Sequence, residues 1–244
     1  MKIFSALLSA ALSLSLNAAP QPVAHWKLDE GAGATVKDSG ELKLHGTLVN
    51  EQNTRWGEGR GGGKALYFVG DPDKKRKGGC VLIPRINGLA LDKPFTVSCW
   101  FKCENRQLMP RQGMYEIFSN AVGEHGPGFR LAVSWETLVF LSEPGGGVKG
   151  ARLSAPPAKF PVEREVWHHA AAVWDGKTFR LYLNGVAAAE QDGLNHIGRK
   201  GFNIGGYNNG YGYGFVGAIA DVKFFQQALT DAEVMGEAKE LVTD

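Results

Sequence analysis

The chain has few cysteines, little net charge and a single long apolar run, and each shortage excludes a class of protein. Its formal charge is only +2 over 244 residues, which does not indicate a nucleic-acid-binding protein. The three cysteines include no C-x-x-C pair, so a zinc site is not indicated. Beyond the N-terminal run, no segment approaches the ~20 consecutive apolar residues of a transmembrane helix.

The one apolar run lies at the N-terminus and has the features of a secretory signal peptide. Lys2 precedes it, it extends over residues 3–16, and Asn17-Ala18-Ala19 supplies the small residues of a cleavage region. We therefore expect residues 1–19 to be a signal peptide and residues 20–244 to form one domain. No cysteine follows the run where a bacterial lipid anchor would attach, so we expect a secreted or periplasmic protein.

An exported protein can use its cysteines for a disulfide. In an extended strand, Cys99 and Cys103 would lie ~13 Å apart, which is beyond the reach of a disulfide. A bridge therefore requires Cys80 or a sharp bend. Of these alternatives we favour a bridge between Cys80 and Cys103, with Cys99 as a small buried residue.

Residues 167–190 predict three β-strands joined by two tight turns. Asp175-Gly176 and Asn184-Gly185 are turn dipeptides, and the runs that flank them are rich in aliphatic and aromatic residues. Between the turns, Phe179, Leu181 and Leu183 alternate with polar or amphipathic residues, which is typical of a strand with one buried face.

Similar short runs recur along the chain and predict an all-β fold. They are residues 23–28, 44–49, 65–69, 81–83, 95–102, 115–119, 129–134, 137–141, 202–204 and 215–225. Their number and spacing favour a two-sheet antiparallel β-sandwich. One helix is predicted at the C-terminus, because Thr230 and Glu233 form a capping box and Leu229 with Val234 can staple the helix entry. We expect this helix to cover a sheet edge or to close the sandwich.

Several motifs occur in an order that resembles a known family. They are Trp26-x-Leu-Asp-Glu-Gly-x-Gly, Asp38-Ser-Gly, His45-Gly-Thr-Leu, Gly63-Lys-Ala-Leu-Tyr-Phe, Phe95-Thr-Val-Ser-Cys-Trp, Trp167-His-His-Ala and Gly217-Ala-Ile-Ala-Asp-Val. Together they resemble a LamG-like jelly-roll domain of the concanavalin A-like lectin/glucanase superfamily, over residues 23–241. The resemblance implies a jelly-roll fold and a role in sugar binding, in adhesion or beside a glycoside hydrolase, without choosing among these.

The resemblance also implies a structural calcium ion where the N-terminal segment meets the last strand. Carried over to this sequence, the ligand candidates are Asp29 or Glu30, Asp38 and Asp221, with loop carbonyls. Ala220 departs from the many relatives that have an acidic residue there. The alternative is that Asp38-Ser39-Gly40 forms an Asx turn and that Asp29 and Glu30 are surface charges.

The most ligand-like segment is residues 205–214, which combines aromatic rings and amides on a glycine-rich backbone. Aromatic rings stack on sugars and planar amides bond hydroxyl pairs, so the candidate contacts are Tyr207, Asn208, Asn209, Tyr211 and Tyr213. An exposed hairpin tip is the alternative interpretation. His125 and Trp135 are further rim candidates, whereas Trp26, Trp100 and Trp167 are expected in the core. The basic run at residues 74–77 is interpreted as a solvated turn, with polyanion binding as the alternative.

Catalytic patterns are weak in this sequence. A retaining glycosidase needs two carboxylates ~5 Å apart, yet the single E-x-D motif, Glu190-Gln191-Asp192, has no second catalytic carboxylate beside it. His168 and His169 must face opposite sides of their strand, which makes a poor zinc site. We interpret His169 as a buried structural residue and His168 as the more accessible of the two.

The sequence therefore favours a secreted, non-catalytic carbohydrate-binding or adhesion module that binds a glycan or polysaccharide through the rim loop. One alternative is a glycoside hydrolase or lyase whose site is assembled from distant residues such as Glu116, Glu136, His125 and Tyr213. Another is a protein-interaction subunit of a secreted or cell-surface assembly.

Overall fold

The computed structural model describes residues 19–70, 78–84, 86–90, 92–104, 113–121, 126–146, 148, 150–196, 198, 201–206 and 214–239. These residues form β-strands and one helix. The strands are β1 (Ala24–Trp26), β2 (Thr35–Val36), β3 (Gly46–Val49), β4 (Thr54–Glu58), β5 (Lys64–Val69), β6 (Cys80–Ile83), β7 (Phe95–Cys103), β8 (Tyr115–Ser119), β9 (Gly128–Ser134), β10 (Thr137–Glu143), β11 (Ala151–Ser154), β12 (Trp167–Trp174), β13 (Thr178–Leu183), β14 (Val186–Asp192), β15 (Phe202–Ile204) and β16 (Val216–Phe225), and the helix is α1 (Asp231–Lys239).

The strands form two antiparallel sheets. The first sheet has the order β14-β13-β12-β7-β16-β5-β4, with β1 also paired to β16, and the second has the order β11-β10-β9-β8-β15-β6-β3-β2. This arrangement confirms the predicted all-β sandwich of jelly-roll type. Strands β2, β4 and β11 were not predicted, because they are short or carry little alternation of apolar and polar residues.

The core lies between the two sheets and is rich in aromatic rings. Phe224 of the first sheet stacks on Phe95 at a centroid distance of 5.6 Å and contacts Phe202 of the second sheet, also at 5.6 Å. Phe118 and Phe202 lie 5.0 Å apart within the second sheet. Ring pairs at such distances contribute about 0.5–1.5 kcal/mol each beyond the area they bury. Aromatic contacts thus tie the two sheets together.

The predicted meander is confirmed. Phe179, Leu181 and Leu183 belong to the core between the sheets. At the second turn, Asn184 and Gly185 both have positive φ, 52° and 79°, as a tight hairpin turn requires. The register across β12, β13 and β14 is antiparallel, with one irregularity beside Tyr182.

Helix α1 begins at the predicted cap. The Glu233 carboxylate accepts a hydrogen bond from the Thr230 N–H at 2.7 Å, and the Glu233 N–H donates to Thr230 Oγ1 at 3.3 Å. Val234 packs with Ala171 and Tyr182 on the outer face of the first sheet, and the helix also contacts β14, the edge strand of that sheet. Within the described residues, no helix is long and apolar enough to cross a membrane.

All three cysteines are free thiols, so the predicted bridge between Cys80 and Cys103 is wrong. Cys80 lies in the second sheet, whereas Cys99 and Cys103 lie in the first. Burial raises the pKa of both Cys80 and Cys103 to about 12. Strand-end positions in the sequence do not specify which ends meet across the sandwich, and the prediction depended on them.

Candidate functional site

The predicted rim loop falls largely outside the described residues. Tyr207, Asn208, Asn209, Tyr211 and Tyr213 lie outside them, as do His125 and residues 74–77. The two ends of the loop are described: the Phe215 N–H donates to the Gly205 carbonyl at 2.8 Å, and the Gly205 N–H donates to Ile117 at 2.8 Å. The loop therefore leaves and re-enters the sandwich beside β8, and its contacts with a ligand stay a prediction.

Trp135 is the rim candidate that the structure describes. It lies in the turn between β9 and β10, where Trp135 and Glu136 both have positive φ. Its side chain is 61% exposed. Trp135 is thus an accessible ring at the end of the second sheet.

Asp38 is buried, and its carboxylate accepts hydrogen bonds from the backbone. One carboxylate oxygen accepts hydrogen bonds from the N–H groups of His25 and Gly40, and the other accepts from the N–H of Leu44, each at 2.7 Å. The bond to Gly40 forms the Asx turn that the sequence offered as an alternative to calcium binding. Asp38 therefore holds β1 and the following turn together through three N–H donors.

The other calcium candidates are engaged separately. His25 Nε2 and Asp221 Oδ1 lie 3.1 Å apart, and Glu30 Oε1 accepts from the Lys37 N–H at 2.6 Å. Burial raises the pKa of Asp221, but His25 and nearby cationic groups outweigh burial and hold that pKa below its usual value. Asp29 is exposed.

These four residues do not fit a calcium ion. Among the described residues, no group of three or more His, Cys, Asp or Glu side chains is arranged to hold a metal. A calcium site needs six to eight oxygen ligands around one point, whereas the Asp38 oxygens face N–H donors and Asp221 faces an imidazole.

We expect chelation to leave the thermal midpoint unchanged. Because backbone N–H groups already hydrogen-bond both oxygens of the Asp38 carboxylate, this region does not depend on a calcium ion for its stability. Differential scanning fluorimetry with EDTA, and then with excess calcium, measures the effect. A midpoint that falls with EDTA and recovers with calcium would show that the ion suggested by the resemblance is bound after all.

A buried ion pair lies on the outer face of the second sheet. Glu116 is 0% exposed, Arg130 is 4% exposed, and their closest oxygen and nitrogen lie 3.3 Å apart. Burial raises the pKa of Glu116 to about 8, although the charge and hydrogen bond of Arg130 lower it. Ser119 lies opposite Arg130 on the neighbouring strand, and Asn203 lies opposite Ser119 on the next; both residues are buried.

The acidic residues that the sequence suggests for a catalytic site lie apart from one another in the described part of the structure. Glu116 is paired with Arg130, Glu136 lies in the exposed turn beside Trp135, and the Glu190-Gln191-Asp192 motif lies on exposed β14. Asp192 is paired with Lys177 at 3.0 Å. These positions do not form the carboxylate pair of a retaining glycosidase.

The structure separates the three tryptophans that were all expected in the core. Trp26 is 0% exposed and donates its indole N–H to the Leu44 carbonyl at 2.7 Å. Trp100 and Trp167 are half-buried and lie on the outer face of the first sheet, where they pack against Tyr67 and Ala218. The core expectation is wrong for these two rings.

Trp167 belongs to a row of side chains that crosses five strands of the first sheet. The ladder register sets side chains opposite one another in the order Arg55, Tyr67, Ala218, Lys102 and Trp167, on β4, β5, β16, β7 and β12. Directly opposed residues project from the same face of a sheet. This face is the one that α1 covers farther along the strands.

Cations lie over the rings of this row. The Arg55 guanidinium carbon is 4.0 Å from the Tyr67 ring centroid, and Lys102 Nζ is 5.5 Å from the centroids of both Tyr67 and Trp167. In the adjoining row, the Arg60 guanidinium lies 3.6 Å from the Trp100 centroid. These are cation–π distances. We call this surface the aromatic–basic face; it comprises Arg55, Arg60, Tyr67, Trp100, Lys102 and Trp167.

The two adjacent histidines do face opposite sides of β12, but neither is accessible. His168 is 4% exposed and packs near Phe101, whereas His169 is 1% exposed and packs against Trp100 on the outer side. His168 is the more exposed of the two, as predicted, although both side chains are buried. Burial, helped by the charges of Lys223 and Arg60, lowers the pKa of His169 to about 3.

With this geometry established, comparison with known proteins identifies the family. Residues 75–235 match the family model described as the concanavalin A-like lectin/glucanases superfamily. The chain belongs to this superfamily. No protein with a curated description matches the chain.

Three solved structures illustrate the similarity of fold. Domain 4 of AbnA, an extracellular GH43 arabinanase from Geobacillus stearothermophilus solved with arabinotriose, is 19% identical, with a TM-score of 0.64 over 91% of this chain and 100% of that chain. The binding domain of Paraclostridial Mosquitocidal Protein 1 is 15% identical, with a TM-score of 0.66 over 89% and 52%. The botulinum neurotoxin serotype G binding domain is 12% identical, with a TM-score of 0.66 over 89% and 50%. This chain thus spans about half the length of the two toxin domains.

Proposed function

We propose that this protein is a secreted, non-catalytic carbohydrate-binding module and that its glycan lies on the aromatic–basic face. The observation that carries the proposal is the placement of half-buried Trp100 and Trp167 on the outer face of a rigid sheet. Indole rings that are partly exposed on strands offer flat apolar surfaces to the C–H faces of sugar rings.

The surroundings of these rings support a binding role. Beside α1, the same sheet face buries apolar Ala171, Val173 and Tyr182 against the helix. Trp100 and Trp167 pack instead against the small residues Ala218 and Ala220, and they remain partly in solvent. The two rings therefore belong to the part of this sheet face that the helix leaves uncovered.

The fold is compatible with this role but does not establish it. The arabinanase domain named above was solved with arabinotriose, and the two toxin domains are named as binding domains. At these identities the likeness extends to the fold alone. The case for sugar binding in this chain therefore depends on its own aromatic side chains.

Binding is expected to be modest. Each stacked ring contributes about 1 kcal/mol beyond the area that it buries. Two rings with several hydrogen bonds correspond to dissociation constants in the micromolar to millimolar range. Retention on immobilised polysaccharides and affinity electrophoresis detect affinities of this size.

Trp167→Ala is the test of the proposed site. We expect it to weaken glycan retention at least tenfold, because the variant loses one stacking surface. The matched control is Trp135→Ala, which removes a 61% exposed indole at the end of the second sheet. Near-ultraviolet circular dichroism and the thermal midpoint verify that both variants are folded.

Other results would contradict the proposal at different levels. Loss of retention in Trp135→Ala, or in the double variant Tyr211→Ala with Tyr213→Ala, while Trp167→Ala binds normally, would place the glycan at the rim. Failure of the wild-type protein to bind any glycan on a broad array would reject carbohydrate binding itself. Release of shortened oligosaccharides from a polysaccharide would reject the non-catalytic role.

A further inference from the structure

The cations of the aromatic–basic face are held in place by the rings beneath them. The Arg55 guanidinium stacks on Tyr67 at 4.0 Å, and that ring is itself fixed by a hydrogen bond from its hydroxyl to the Glu58 carbonyl at 2.8 Å. Arg60 stacks on Trp100 at 3.6 Å. An arginine that stacks by its flat face keeps its N–H groups at the edge for binding an anion.

Lys102 is central to this arrangement. Its Nζ lies 5.5 Å from the centroids of both Tyr67 and Trp167, so the ammonium group sits between the two rings. Ala218 on β16 lies between Tyr67 on β5 and Lys102 on β7, and it is small enough to let the lysine side chain lie across it. The rings and the alanine therefore set the position of a positive charge in the middle of the face.

The face carries more positive than negative charge. Within the described part of the chain, no carboxylate forms an ion pair with Lys102. Glu104 lies at one edge, 3.2 Å from Arg55 Nη2, and the Arg55 side chain remains 56% exposed. A positive group beside a partly exposed indole favours a ligand that has both a negative charge and an apolar ring face.

The spacing of the row sets the least size of such a ligand. Tyr67 and Trp167 are three strand spacings apart in the sheet, on β5 and β12. With ~4.8 Å between neighbouring strands, their backbones are separated by ~14 Å. A ligand that spans the distance from Tyr67 to Trp167 must therefore extend across the strands, as an oligosaccharide or a polysaccharide can.

We infer that the aromatic–basic face binds an acidic polysaccharide, with a sugar ring on Trp167 and carboxylate or sulfate groups at Lys102 and Arg55. This inference rests on the proposed function and deepens it by naming the class of glycan. Nucleic acid is disfavoured, because proteins that bind DNA commonly neutralise about 6–10 phosphates, whereas the whole chain carries a net charge of only +2.

Two matched pairs of polysaccharides test the charge requirement on the full-length mature protein. Polygalacturonate is compared with its fully methyl-esterified form, and dextran sulfate is compared with dextran. We expect at least one acidic form to bind about tenfold more tightly than its uncharged partner in 50 mM NaCl, and this preference should shrink in 500 mM NaCl. The pair that shows the preference tells whether carboxylate or sulfate is the preferred group.

Lys102→Met then assigns the preference to this face. Methionine keeps a long apolar side chain over Ala218 but removes the charge, so affinity for the acidic form should fall about tenfold while affinity for the uncharged form is unchanged. Lys102→Arg should retain the preference. The control is Lys177→Met, which removes an 80% exposed cation in the turn between β12 and β13. Thermal midpoints verify that all three variants are folded.

The outcomes separate this inference from the proposed function. If Trp167→Ala weakens binding but charged and uncharged polysaccharides bind alike, the module binds glycans and the inference is wrong. The inference is also wrong if Lys177→Met has the same effect as Lys102→Met, or if double-stranded DNA or anionic vesicles bind as tightly as the acidic polysaccharide. If none of the four polysaccharides binds and a glycan array is also blank, both proposals fail.

Discussion

Replacement of Asp38 by asparagine is expected to lower the free energy of unfolding by about 2–4 kcal/mol. Asparagine can still accept from the His25 and Gly40 N–H groups through its oxygen. Its amide nitrogen would then face the Leu44 N–H, which now donates to the second carboxylate oxygen at 2.7 Å. Two opposed donors in a site that is 2% exposed would leave a buried N–H group without an acceptor.

Urea denaturation at pH 7 measures this loss, with Asp29→Asn as the matched control. Asp29 is an exposed aspartate of the same segment, so its variant should stay within about 0.5 kcal/mol of the wild-type protein. Both measurements are repeated with EDTA and with calcium. A loss that appears only in calcium would indicate that Asp38 acts as a metal ligand rather than as a backbone acceptor.

The contribution of Glu116 to stability is expected to fall as the pH rises from about 4.5 to 8, and Glu116→Gln should remove this contribution. Burial raises the pKa of Glu116 from its ordinary value of 4.5 to about 8, with Arg130 opposing the shift. In that window the folded protein retains a proton that the unfolded chain has released, so each increase in pH favours the unfolded chain. Glutamine keeps an acceptor for Arg130 and cannot ionise.

Unfolding free energies of both proteins from pH 3 to pH 9 check the prediction. The two curves should diverge above pH 5, with the variant the more stable at pH 9. The acidic part of the pH profile provides an internal control. The pKa of His169 is lowered to about 3 in the folded protein, so on acidification this histidine takes up its proton in the unfolded chain before it does so in the folded protein. Both proteins should therefore lose stability in the same way as the pH falls from about 4.5 to 3. Parallel curves at all pH values would contradict a raised pKa for Glu116.

The sequence was sufficient for the elements with strong local signals. Turn dipeptides and strict alternation located the meander, and the pair Thr230 and Glu233 located the start of α1. Strand β4 has no such signal, because Thr54–Glu58 mixes polar residues with one tryptophan and a glycine. Its place at the edge of the first sheet depends on pairing with the following strand β5, which the residues of β4 alone do not indicate.

The aromatic–basic face could have been found in part. Alternation along β7 places Phe95, Val97, Cys99 and Phe101 in the core, and the same alternation puts Trp100 and Lys102 on the opposite side. The family motif that contains Trp100 favours the core instead, so the two signals disagree for this residue. The remaining members could not be grouped, because Arg55, Tyr67 and Trp167 meet only through a register across five strands.

The calcium candidates show that a motif position can suggest a site that the structure does not form. The motif positions of Asp38 and Asp221 suggest that their carboxylates share one ion. The three N–H donors around Asp38 come instead from β1 and from the turn after Asp38, whose relative placement the residue types do not reveal. Of the two interpretations of Asp38-Ser39-Gly40, the structure supports the turn. A carboxylate in a glycine-containing turn is as well explained by capping the backbone as by binding a cation.

The three buried sulfhydryls make the architecture independent of the redox state of its surroundings. With no covalent crosslink to form, the sandwich can assemble in a reducing cytosol or in an oxidising medium with the same outcome. Their raised pKa values also keep them protonated and unreactive while the sheets stay together. Alkylating reagents would consequently modify these thiols only when the two sheets separate. The rate of alkylation therefore reports the rate at which the sandwich opens spontaneously.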